Sequence, residues 1–199
     1  MASRRLYLAS ASPRRSELLG QIGIAHEIRP VAVDEAQRAG EAPVAYVARL
    51  AEEKARMLWD SLPSARQRPV LAADTAVVLE DEVFGKPADR GEAMAMLARL
   101  SGRTHQVHTA VALVHAAGSA ARVSSSDVTF RVLSRAEMAW YWDTGEPGDK
   151  AGGYAVQGRA AIFISRLAGS YSGVMGLPLY ETWELLSGVP GLIGEGATE

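Results

Sequence analysis

Hydrophobic and polar positions recur with two different periods along this chain. Residues 5–9 (RLYLA) and 70–73 (VLAA) are short apolar runs of the kind that form buried strands. Ser12 followed by Pro13 reads as a helix N-cap and first helical residue, with Leu18, Leu19 and Ile22 as the apolar stripe and Gly20 and Gly23 ending it. Val44, Val47, Leu50, Ala51, Ala55 and Leu58 recur at helical spacing, which predicts an amphipathic helix over 43–59 that Pro63 ends. Lys54 is assigned to the polar side of that helix. Residues 26–35 read as extended chain reaching Asp34 and Glu35.

Further along, 76–87 reads as a hairpin turning near Glu80, Asp81 and Glu82, and 89–100 as a helix stopped by Ser101 and Gly102. Residues 104–114 and 122–132, rich in Val, Thr and Ala, read as two strands joined through a turn containing Gly118. A helix over 134–142, a long glycine-rich loop over 145–158, a strand over 160–168 and a glycine-punctuated turn SYSGVMGLP follow. A last helix spans 179–187. Strands alternating with helices, interrupted by two hairpins, predict an α/β fold: a mixed sheet with flanking helices and a cleft between two lobes. One domain over 1–199 is expected, with residues 192–199, ending in GEGATE, as a loose tail.

Composition narrows the chemistry. The 199 residues are 48% hydrophobic and 22% charged, an ordinary globular balance with a sizeable core. The net charge of −2 offers no global attraction for nucleic acid or an anionic membrane, so any phosphate affinity must be local. The absence of cysteine excludes disulfides, thiolate catalysis and cysteine-held metals. His105 and His115 fall on one strand face and His108 on the other, a poor arrangement for a three-histidine metal site. The short apolar stretch at the N-terminus does not make a signal sequence, and no run approaches the roughly eighteen apolar residues of a membrane span. A cytoplasmic protein is expected.

Four places carry candidate chemistry. Arg14 and Arg15 follow Ser12-Pro13 at a helix start, where positive charge is unfavourable unless an anion lies between the cations and the free N–H groups. Ser10 and Ser12 would add hydroxyls. Equally, both arginines could be solvated. Asp74 follows a buried strand and, with Glu35, could hold a divalent cation through oxygen ligands or orient an attacking water; the plain alternative is a turn cap and a solvated glutamate. Lys86, in the tight Phe84-Gly85-Lys86-Pro87 turn, is a better charge-neutralising candidate than Lys54 on its long helix. The loop 148–158 offers close backbone approach, Gln157 as a base-edge reader and Tyr154 as a stacking or core aromatic. No G-x-x-x-x-G-K-[ST] or G-x-G-x-x-G motif is present, which weakens ATPase and dinucleotide readings.

In order, the stretches LASASPRRSELL, VDE, EEKA, LAADTAVVL, FGKP, LSGRTHQVHTAV, GEPGDKAGGYAVQG and SYSGVMGLPL resemble the Maf family of nucleotide pyrophosphatases over nearly the whole chain. DKAGGYAVQG and VMGLPL resemble the branch acting on dTTP and UTP rather than 7-methyl-GTP. The resemblance implies phosphate binding by Ser10, Ser12, Arg14 and Arg15, and an acidic residue at Glu35. It implies cationic roles for Lys54, Lys86 and Lys150, and a catalytic aspartate at Asp74. Pyrimidine selectivity would involve Arg14, Thr75 and Gln157. It further implies a fold like that of inosine-triphosphate pyrophosphatases, a requirement for Mg2+, Mn2+ or Co2+ held by Glu35 and Asp74, and a homodimer. The expected reaction is hydrolysis of a nucleoside triphosphate at the α-phosphorus to monophosphate and pyrophosphate, with no membrane association and no stable nucleic-acid complex. Two rivals remain: a non-enzymatic nucleotide- or nucleic-acid-binding regulator of division or septum formation, and a phosphatase removing only the γ-phosphate.

Overall fold

The computed structural model describes residues 5–193. Strand β1 (Leu6–Leu8) is wholly buried and pairs in parallel with β2 (His26–Ile28) on one side and β3 (Val70–Leu79) on the other. Its connection to β2 is helix α1 (Pro13–Gln21), and helix α2 (Pro43–Ser61) precedes β3. From β3 onward the sheet is antiparallel. A two-residue turn at Glu80 and Asp81, both with positive φ, returns β3 into β4 (Glu82–Phe84), as a tight hairpin requires. After α3 (Arg90–Leu100), β5 (Thr104–His115) pairs with β3, β6 (Gly118–Phe130) with β5, and β7 (Ile164–Ala168) with β6. Helix α4 (Arg135–Asp143) lies between β6 and β7, and α5 (Tyr171–Met175) and α6 (Leu179–Ser187) follow β7. The strand order is β2-β1-β3-β5-β6-β7, with β4 also on β3. This is the mixed α/β sheet with flanking helices that the pattern predicts.

The period-two alternation of β3 sorts its side chains between two layers. Val70, Ala72, Ala76 and Val78 face α2, where Val47, Ala51, Ala55 and Leu58 cover them together with Ala110 and Ala112 of β5. Leu71 and Ala73 face the opposite layer, with Leu18 and Leu19 of α1 and Leu185 and Leu186 of α6. The far end of the sheet is covered by α3 and α4, where Leu97, Leu100, Met138 and Tyr141 meet Val77, Leu79, Val128 and Phe130.

One edge of β3 explains where a site forms. β1 pairs with Val70 and Leu71, and β4 pairs on the same side only from Val77 onward. Between them neither strand pairs with that edge, and Asp74, Thr75 and Ala76 line a cavity there. Asp74 and Thr75 sit in that gap.

Several expectations are corrected. β3 runs unbroken through Asp74 and Thr75, so Asp74 lies in mid-strand and not after a strand end. The extended segment over 26–35 is a strand only to Ile28. Gly118 begins β6 opposite His115 rather than occupying the turn. Residues 159–163 wind as a 3-10 turn before β7, and 171–175 form helix α5 where a turn is expected. Val44, expected on the apolar stripe of α2, is exposed. Leu192 is buried and Ile193 packs on the α1–α6 layer, so the expected loose tail does not begin at 192; its part over 194–199 lies outside the described residues.

Candidate functional site

A cavity of about 490 Å³ opens at the gap in β3, and Ser10, Ser12, Arg14, Arg15, Glu35, Lys54, Asp74, Thr75, Lys86, Lys150 and Gln157 all line it. Every site residue expected from the sequence is thus brought to one place, from six separate segments of chain. A volume of this size is in the range of small-molecule pockets.

The alternation of β3 points Asp74 and Thr75 to opposite faces. Asp74 faces α2, where Lys54 donates from Nζ to Asp74 Oδ1 at 2.7 Å and to Glu35 Oε1 at 2.6 Å. Lys54 is buried, contrary to its assigned place on the polar side. Positions 47, 50, 51, 54, 55 and 58 form one i, i+3, i+4 stripe, so Lys54 stands on the sheet-facing surface of α2. A charge there is tolerated because two carboxylates meet it. Burial pushes the Asp74 carboxyl above the ordinary aspartate range, against the pull of Lys54. Glu35, on the loop between β2 and α2 and largely solvent-facing, is lowered by its bond to Lys54. That loop is fixed to α2 by Tyr46, whose hydroxyl donates to the Glu35 carbonyl at 2.9 Å, and by Arg49, which donates to Glu41 at 2.6 and 2.8 Å and to the Ala36 carbonyl at 3.1 Å.

Thr75 faces α1. The Arg15 guanidinium donates from Nη2 to Thr75 Oγ1 at 3.2 Å, from Nη1 to Ser10 Oγ at 3.1 Å and from Nε to the Gly176 carbonyl at 2.8 Å. Its plane is set by neutral acceptors, leaving two of its five N–H groups uncommitted in these contacts. Gly176 has φ of +118°, a conformation that favours glycine. Ser12 stands at the N-cap of α1, yet its side chain caps no helical N–H; its own N–H donates to Ser10 Oγ at 3.2 Å. The helix start therefore keeps free N–H groups beside Arg14 and Arg15.

The loop between α4 and β7 forms the remaining wall. Lys150 donates to the Glu146 carbonyl at 2.9 Å and pairs with Asp149, which also lies 3.8 Å from Arg14. Lys86 is exposed at the cavity, and Gln157 is exposed beside it. Gly152 packs against Val77, where a Cβ would come within 2.9 Å of the valine side chain. Tyr154 is buried, and its hydroxyl lies 2.7 Å from His105 Nε2, so it serves the wall as a core aromatic.

Sequence reasoning missed Tyr46, Asp149 and Thr109. The place of Tyr46, on the face of α2 toward the Glu35 loop, has no local signature. Thr109 carries one: it is a polar residue within the apolar strand THQVHTAVALVH.

The order of these segments is matched by the family model for Maf-like proteins over residues 5–189. The chain belongs to the Maf family. A dTTP/UTP pyrophosphatase of Bordetella avium is 54% identical over 188 residues, covering 92% of this chain and 94% of that protein. One from Alkalilimnicola ehrlichii is 54% identical over 184 residues, with 91% of each chain covered. A nucleoside triphosphate pyrophosphatase of Xylella fastidiosa is 54% identical over 183 residues, covering 92% of this Maf chain and 97% of that protein. Among solved structures, a nucleoside-triphosphatase (dITP/XTP pyrophosphatase) of Mycobacterium abscessus matches at a TM-score of 0.39 and 16% identity, over 63% of this chain and 72% of that one. No described helix is long and apolar enough to cross a membrane.

Proposed function

We propose that this Maf-family chain hydrolyses dTTP and UTP to the monophosphate and pyrophosphate, by attack of water at the α-phosphorus. The observation that carries the reading is the pairing, across one cavity, of a lysine-bridged Glu35–Asp74 pair with the cations Arg14, Arg15, Lys86 and Lys150. The relatives named as dTTP/UTP pyrophosphatases, 54% identical over more than nine-tenths of this chain, support the substrate class.

Asp74 is the general base. Its raised affinity for a proton suits it to take one from the attacking water, while Lys54 keeps it oriented. The water oxygen bonds to the α-phosphorus, the bond to the bridging oxygen breaks, and pyrophosphate leaves with that electron pair. Arg14, Arg15, Lys54 and Lys86 neutralise the charge that moves onto the leaving group, and Lys150 binds the triphosphate from the loop. Ser10 and Ser12, with the free N–H groups of α1, receive phosphate oxygens. Thr75 and Gln157 read the pyrimidine edge.

A divalent cation, Mg2+, Mn2+ or Co2+, fits the donor chemistry. No group of three or more histidine and acidic side chains is placed to hold a metal among the described residues. A cation that takes one or two carboxylates and completes its shell with substrate phosphates needs no such cage, and Glu35 and Asp74 are two oxygen donors brought to one ammonium. When bound it would add Lewis-acid neutralisation of phosphate charge. The working unit is a single-domain cytoplasmic homodimer, testable by sedimentation equilibrium.

The deciding assay gives purified protein and Mg2+ or Mn2+ with dTTP, UTP, CTP, ATP, GTP and 7-methyl-GTP, and resolves the products. Monophosphate plus pyrophosphate from dTTP and UTP is expected. Orthophosphate and diphosphate instead would establish the γ-phosphatase. Turnover of none by folded protein would favour the non-enzymatic regulator.

A further inference from the structure

Thr109 lies behind the cavity wall, on β5 directly opposite Thr75, and is almost wholly buried. Its hydroxyl contacts the Gly173 carbonyl at 2.7 Å and Thr75 Oγ1 at 3.0 Å. Both contacts lead to Arg15. Thr75 accepts from Arg15 Nη2 at 3.2 Å. Gly173 lies in α5, its carbonyl accepts from the Gly176 N–H at 2.9 Å, and the Gly176 carbonyl accepts from Arg15 Nε at 2.8 Å. The hydrogen bonds therefore close a ring: Thr109, Gly173, Gly176, Arg15, Thr75 and back to Thr109.

A guanidinium is planar, so two separated acceptors fix its orientation. Here two of its three acceptors trace to one hydroxyl, Thr75 Oγ1 directly and the Gly176 carbonyl through Gly173, while the third is Ser10 Oγ. β5 at this point is a long central strand paired on both sides. The turn at 169–176, by contrast, is a short helix between loops.

We propose that Thr109 is a positioning residue for this site: without touching substrate, it locks the plane of Arg15 by holding Thr75 and the 173–176 turn together. The proposal rests on the reading of Arg15 as a phosphate ligand. It makes the arginine preorganised before substrate arrives, so that its uncommitted N–H groups meet the phosphate at no further cost in ordering.

The test is Thr109→Val, nearly isosteric but lacking the hydroxyl, beside Thr109→Ser, which keeps it. Thr109→Val is expected to lower kcat/KM for dTTP about tenfold, the effect of one buried hydrogen bond, and Thr109→Ser to stay within about twofold of the parent. The decisive comparison places both in an Arg15→Lys background. Lysine has no fork to orient, so Thr109→Val should there cost less than about twofold. An equal tenfold loss in both backgrounds, wild-type kinetics for Thr109→Val, or a tenfold loss in Thr109→Ser would each overturn the proposal. The last holds even if the valine variant does not fold. Calorimetric binding of inorganic pyrophosphate to the same set reads Arg15 independently of turnover. If the parent hydrolyses no nucleotide but binds pyrophosphate, and Thr109→Val weakens that binding about tenfold, the positioning role stands while the proposed reaction falls.

Discussion

Asp74 and Glu35 share one ammonium and are pushed in opposite directions by their surroundings. Burial holds Asp74 above the ordinary aspartate value, and the Lys54 bond holds Glu35 below the ordinary glutamate value. One carboxylate is thereby suited to accept a proton and the other to stay charged. Asp74→Asn is expected to reduce kcat about 10²- to 10⁴-fold with KM changed little, read by pyrophosphate release. Because the base must be ionised, kcat/KM should fall as pH drops through the raised Asp74 value. The acid limb of the profile therefore belongs above about 3.9, the value of a free aspartate, and a limb at or below it would exclude Asp74 as the base. Lys54→Gln leaves the Asp74 carboxylate without its cation, and a loss of about 3 kcal/mol in urea unfolding at pH 7 is expected, as for other broken buried pairs.

At the scale of elements, α2 carries more of the site than its single lysine. Tyr46, Arg49 and Lys54 stand on successive turns and hold the loop 29–42 at the Glu35 backbone, at Glu41 and at the Glu35 carboxylate. The bidentate Arg49 bond lowers Glu41 to about 2. A lowered acid contributes stability above its unfolded value of about 4.3, and that contribution is lost as pH falls from there toward about 2. Urea unfolding of Arg49→Gln should accordingly lose less stability between pH 5 and pH 3 than the parent does. The same variant should lower kcat at pH 7 by displacing Glu35, several-fold and less than Glu35→Gln itself.

For the whole molecule, the cationic wall is local while the net charge is −2. Attraction of a triphosphate then acts only within a Debye length of the cavity, about 10 Å at 0.1 M salt. Raising KCl from 50 to 500 mM is expected to increase KM for dTTP several-fold with kcat nearly constant; a matching fall in kcat would mean that salt acts on the fold or the chemistry. The architecture gathers these charges by leaving one edge of β3 unpaired between β1 and β4, so six segments converge on a single gap in one sheet.

The residue types at the site were legible in the sequence because their chemistry is unusual where they stand: arginines at a helix start, a lysine in a tight turn, an acid beside an apolar strand. Most elements were legible because burial of one face imposes a period of two or near four on the chain. Lys54 was misplaced because a charged residue on an apolar stripe looks like a solvated one until its partners, 19 and 20 residues away, are seen. Asp74 in mid-strand and the ring closed by Thr109 were not legible for the same reason. Periodicity reports which face a residue takes within its own element, whereas a hydrogen bond between elements depends on register and layer. The sequence by itself determined the fold class, the family resemblance and the cast of charged groups. Only the tertiary structure decided which strand edge was left open, which lysine was buried between carboxylates and what holds Arg15 in plane, because those depend on pairings between segments up to 161 residues apart.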